Sequence, residues 1–140
     1  PGPGHAPKQL FAALNDLDVP LFIARGNGDS EVDSLVLDLP IQSPYTFVQI
    51  EGTRFLAAHG HITPAEELMD LGATWNIDYL LTGHLHEASV DSVGGVTHIN
   101  PGTTTYPLSD DPELAVPTCA SIDDGEVTVV NLQTGDALEL

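Results

Sequence analysis

The chain has 140 residues, 41% of them apolar, and sets 21 acidic side chains against three basic ones, Lys8, Arg25 and Arg54, for a formal charge of −18. That length is enough for one domain, residues 1–140, with a core of its own, and a near-zero mean hydropathy excludes a disordered chain. No apolar run approaches the ~20 residues that cross a bilayer, and the acidic balance argues against a surface for nucleic acid or anionic lipid.

The acidic residues are spread along the chain in "NDLD", "GDSEVD", "AEEL", "SDDPE" and "SIDDGE". Such a surface suits high intracellular salt, where screening relieves self-repulsion. The single cysteine, Cys119, excludes an internal disulfide framework and suits a reducing compartment, so a cytoplasmic location is expected. No basic segment followed by an apolar one marks a secretion signal, and a start at Pro1 suggests an incomplete or processed chain.

In chain order, "PGPGHAP" reads as a loop. A helix follows over residues 6–17, with Pro7 in its first turn and Leu10, Phe11, Leu14 and Leu17 on one face. The apolar run "VPLFIA" at 19–24 predicts a buried parallel strand ending in the turn "RGNGDS". "TFVQI" and "RFLAAH" flank Glu51-Gly52 as a hairpin or as adjacent strands. "TPAEELMDLG" predicts a helix with Thr63 as N-cap, Pro64 in first position, Glu66 closing a capping box and Gly72 as the stop. "IDYLLT" is a second buried strand. Two further strand pairs turn at Gly94-Gly95 and Asp124-Gly125. Strands alternating with helices, then hairpins, predict an α/β layered fold with a mixed sheet or two packed sheets. Phe11, Met69, Trp75 and Cys119 are expected in the core.

Three polar clusters end three predicted strands: Gly26-Asn27-Gly28-Asp29, His59-Gly60-His61 and Gly83-His84-Leu85-His86. Strand C-termini line the ligand crevice of open α/β sheets, so loops distant in sequence can meet there. They would bring together imidazoles, a carboxamide and a carboxylate, and neutral imidazole is the commonest metal ligand near pH 7. Each cluster alone is as easily a plain turn or strand end; the three in equivalent places point to a metal site. His5 and His98 lie outside the clusters and are expected as surface or turn histidines. Asn100-Pro101-Gly102-Thr103 taken alone is a turn.

The order GN-x-D, HGH, GHxH, INPG resembles the calcineurin-like metallophosphoesterases, in particular their small single-domain phosphodiesterases of bacterial and archaeal type, from about residue 7 to 130. The resemblance implies two packed mixed β-sheets flanked by helices, two metal ions, and two-metal hydrolysis of phosphate esters. The ions would be manganese, with iron, nickel or zinc also compatible with nitrogen and oxygen ligands. Asn27, His59 and His84 would bind one ion and His86 the other. Asp29, His61 and Asn100 would lie beside the ligands or near the phosphate. No residue is assigned to proton transfer.

Two departures stand out. The family's opening strands end in Asp-x-His and Gly-Asp and complete the metal cage; no such strands precede the first helix here, so the sandwich is expected to lack its first strands. The 140 residues are then incomplete for catalysis alone, and an open sheet edge would favour self-association or pairing with an N-terminal segment. Gly28 also stands where many relatives have a histidine that can protonate the leaving group. The expected ligand is a small phosphate ester. The alternative is a non-catalytic interaction module, since the same fold serves as a scaffold subunit in the retromer coat.

Overall fold

The computed structural model describes residues 8–140. Its elements are α1 (Lys8–Asn15), β1 (Ile23–Ala24), α2 (Asp33–Val36), β2 (Ile41–Gln42), β3 (Thr46–Ile50), β4 (Thr53–Ala58), α3 (Ala65–Thr74), β5 (Tyr79–Thr82), β6 (Ala88–Val93), β7 (Val96–Pro101), β8 (Thr118–Asp123) and β9 (Glu126–Asn131). A five-stranded mixed sheet in the order β3-β4-β5-β7-β6 forms the centre. Its three middle strands, β4, β5 and β7, run parallel, and antiparallel hairpin partners close both sides. Beside it stand two two-stranded sheets, β1 parallel to β2 and β8 antiparallel to β9.

The core follows from the period-two and helical patterns. Leu56 and Leu80 point from adjacent parallel strands onto Leu68 of α3, and all three are 0% exposed. Ala58, Ile77 and Val96 complete that cluster, with Tyr45, Met69 and Leu71 against it. Side chains of this size lend about 1.5–3 kcal/mol each when fully buried, which fixes which face of the sheet carries α3. Among the described residues no helix is long and apolar enough to cross a membrane.

Several expectations are corrected. The first helix is shorter than 6–17 and buries none of its residues; its predicted start, with Pro7 and the preceding "PGPGHAP", lies outside the described residues. The strand expected at 19–24 is reduced to Ile23–Ala24, because Pro20 cannot donate to a ladder and Val19 and Phe22 face solvent. Pro64, in extended conformation, caps α3 in place of Thr63, and with no side-chain cap bond the Thr63–Glu66 box does not form. Gly72 does not stop α3: it is buried inside the helix facing Ile77 and Val96, and Trp75 ends the helix. Trp75 is 39% exposed, edge-on to Tyr45, and Cys119 is exposed on β8, so neither belongs to the core.

Candidate metal centre

The parallel run of β4, β5 and β7 brings three strand C-termini to one end of the sheet. His59 leaves β4, Gly83-His84 leaves β5, and Asn100 lies at the end of β7. The Gly83 amide donates to the His59 carbonyl at 3.1 Å, and Asn100 Nδ2 donates to the Gly83 carbonyl at 3.1 Å. Asn100 is 1% exposed, and its Oδ1 accepts from the Gly102 amide at 3.0 Å, so both ends of the carboxamide clamp one loop to the next. The β1 loop comes from a different sheet. Thr46 Oγ1, at the start of β3, donates to the Ile23 carbonyl at 3.3 Å, and Asn27 Oδ1 comes to 2.7 Å from His59 Nε2.

His59 is the hub. Its ring is 5.1 Å from His61 and 5.2 Å from His84, both edge-on, while His61 and His84 are 6.4 Å apart. Its Nδ1 edge rests against backbone: a Cβ at Gly83 would lie 3.2 Å from Nδ1 and one at Gly26 3.3 Å, so these glycines permit the close approach. His84 and His86 both adopt left-handed backbone, with φ of 70° and 59°. Two such residues cost about 1–2 kcal/mol each, and the loop is pinned against that strain. Besides Asn100, the Leu108 amide donates to the His86 carbonyl at 3.1 Å, and His86 Nδ1 donates to the Tyr106 carbonyl at 2.9 Å. A carbonyl oxygen can only accept, so in the neutral ring the proton sits on Nδ1 and the lone pair on Nε2. The His86 ring is edge-on to Tyr106 at 6.2 Å.

Burial lowers the pKa of His59, and the neighbouring His61 and His84 lower it further; Asp29 opposes them. The imidazole is therefore neutral near pH 7, the form that binds metal. Among the described residues no three His, Cys, Asp or Glu side chains form a ready cage. Two of the candidate donors are nevertheless spaced much as two ligands of one ion would be. Two ligands each about 2.1 Å from an ion and at right angles are about 3 Å apart, close to the 2.7 Å between Asn27 Oδ1 and His59 Nε2. Here Nε2–H donates to Oδ1, so metal binding needs the proton on Nδ1: a tautomer shift, not a net ionisation. Asp29 serves the loop, its Oδ2 accepting from the Gly26 amide at 2.7 Å. A Cβ at Gly28 would meet nothing within 4 Å, so that position is open.

The expectation that His98 is a surface or turn histidine is overturned. It lies within β7, half-buried, with Nε2 2.7 Å from Thr82 Oγ1 and Asp91 as its cross-strand partner. His5 lies outside the described residues. Burial lowers the His98 pKa below 6.5, and Asp91 offsets part of that. The unfolded chain then binds more protons between the folded value and 6.5, so this contribution to stability is complete above 6.5 and is lost as pH falls through the folded value. The melting temperature of the natural chain should fall further between neutral and mildly acid pH than that of His98→Gln. Parallel profiles would contradict this. Arg25, Ser43 and Tyr106 also border the site and carry no motif that marks them in the sequence.

Residues 5–123 match the calcineurin-like phosphoesterase superfamily domain. The chain is 35% identical over 109 residues to the phosphodiesterase YfcE of Escherichia coli K12, covering 78% of this chain and 58% of that protein. It thus spans little more than half the length of this curated relative. The structure of YfcE, a phosphoesterase from E. coli, superposes with a TM-score of 0.77 at 27% identity, over 96% of this chain and 70% of that one. Vps29 of Entamoeba histolytica, solved with Zn²⁺, shares the fold at a TM-score of 0.64 and 24% identity, over 94% of this chain and 73% of that one.

Proposed function

The chain belongs to the calcineurin-like phosphoesterase superfamily, and from that premise we propose that it carries part of a metal-dependent phosphodiesterase site. Asn27, His59 and His84 face one divalent ion and His86 a second. Manganese is the expected metal, with iron, nickel and zinc compatible with the same donors. The observation that carries this reading is the 2.7 Å approach of Asn27 Oδ1 to His59 Nε2, with the His84 ring 5.2 Å from that of His59, from three loops distant in sequence. The phosphodiesterase relative in E. coli supports the reaction class.

The chemistry such ions supply is polarisation of the phosphoryl oxygens and activation of water for in-line attack. The chain's own residues do the positioning. The Tyr106 carbonyl holds His86 in the tautomer that leaves Nε2 available, and Asn100 keeps the Gly83-His84 turn against His59. Position 28 offers no proton to a leaving group, which favours diesters with good leaving groups.

The test is Mn²⁺-dependent hydrolysis of bis(p-nitrophenyl) phosphate. It is run on the 140 residues and on the same residues completed with strands bearing the family's Asp-x-His and Gly-Asp motifs. Turnover is expected from the completed protein and little from the shorter one. A completed, metal-loaded protein without turnover would refute the enzyme and favour an interaction module of the same fold.

The charge of −18 supports a high-salt cytoplasm as the setting. The melting temperature is expected to rise in molar KCl; one that stays level or falls would count against it.

A further inference from the structure

Next to the proposed ligands lies a cavity of about 330 Å³, lined by Arg25, Asn27, Asp29, Ser43 and His61. Its one basic side chain is among three in a chain of charge −18. The other two are elsewhere: Lys8 opens α1, and the Arg54 guanidinium lies over the Phe47 ring, 5.3 Å from its centroid. The acidic side chain in the lining is already engaged, since Asp29 Oδ2 accepts from the Gly26 amide at 2.7 Å. Arg25 does not bond that carboxylate; its Nη2 makes a long 3.4 Å contact with the Asp29 backbone carbonyl. This tethers the side chain at the cavity and leaves most of its five donors to a ligand.

The shared lining matters as much as the charge. Asn27 and His61 belong both to this cavity and to the histidine cluster, so a molecule reacting at the cluster extends directly into the cavity. An anion approaching so acidic a protein is repelled at long range, and the Arg25 guanidinium is the charged group in this lining that attracts it at close range. We propose that this cavity is an anion subsite, where the Arg25 guanidinium and the Ser43 hydroxyl bind a second anionic group, phosphate or carboxylate, carried by the diester beyond its reacting phosphoryl. The substrate class this names rests on the phosphodiesterase reading of the adjoining site. The subsite itself does not.

Two arms keep those apart. In the first, inorganic phosphate is titrated into the metal-free protein at low salt and followed by amide NMR. Saturable shifts are expected at Arg25, Asn27, Ser43 and His61. Arg25→Gln should weaken binding roughly tenfold, the scale of a lost charge-assisted hydrogen-bonding partner. Arg25→Lys should weaken it less, because the charge remains while the fork is lost. In the second arm the completed enzyme hydrolyses two aryl phosphodiesters, one with a carboxylate on its second ester arm and one with a neutral arm. Arg25→Gln should raise KM about tenfold for the first with kcat retained, and raise it far less for the neutral diester. Phosphate shifts that persist in Arg25→Gln, or an equal effect on both diesters, would overturn the subsite. Phosphate bound through Arg25 in a protein without turnover would uphold it and refute the enzyme reading.

Discussion

Replacing His59 with alanine is expected to weaken divalent-ion binding by roughly a hundredfold or more, beyond the 10–100-fold that follows from losing a residue behind a ligand. The size follows from where His59 sits. Its Nε2 meets Asn27, its ring lies edge-on to His61 and His84, and its Nδ1 edge fills the space that Gly26 and Gly83 leave open. Removing it takes away one donor and the surface that aligns two others. Asn27→Ala should cost less, since a neutral carboxamide oxygen is a weaker donor than imidazole. Calorimetric titration with Mn²⁺ at moderate salt checks this, because salt suppresses diffuse binding to the 21 carboxylates. A loss below tenfold would place the ion elsewhere.

Gly102→Val should cost stability on the order of 3–5 kcal/mol, combining left-handed strain with overpacking. Gly102 has φ of 83°, and a Cβ there would overlap the Thr118 hydroxyl. That hydroxyl cannot yield cheaply. Thr118 is 3% exposed, its Oγ1 donates to the Pro101 carbonyl at 2.7 Å, and its amide donates to the Thr103 carbonyl at 2.9 Å. Retreat the other way meets Ala88, whose Cβ and backbone nitrogen would be 3.4 Å from the new carbon. Because the Gly102 amide also holds Asn100, the Gly83-His84 turn should loosen as well. Thermal unfolding should show a midpoint lower by about 10 °C or more. A drop of a degree or two would mean that the turn relaxes freely.

The parts of the fold legible in the sequence are those where pattern and burial coincide. The β3–β4 hairpin, β5 and the two later hairpins lie where alternation and the Gly turns placed them. The first helix and strand are shorter than their patterns predict because their apolar residues, Leu10, Leu17, Val19 and Phe22, remain exposed among the described residues, and periodicity does not say what a face packs against. The candidate ligands were legible because Gly/His clusters ended apolar runs. What the remaining partners do was not. The clamp by Asn100, the carbonyl of Tyr106 and the cavity cation Arg25 arise from loops meeting across sheets. His98 could have been found: in "VTHIN" it shares a strand face with Val96 and Asn100, both buried.

Mn²⁺-induced relaxation mapped over the assigned resonances of the protein addresses the location of the metal most directly. Broadening is expected to centre on the side chains of Asn27, His59 and His84, at one ion per chain, and to disappear in His59→Ala. Broadening spread along the acidic surface and unchanged in that variant would contradict a metal centre at the ends of β4 and β5.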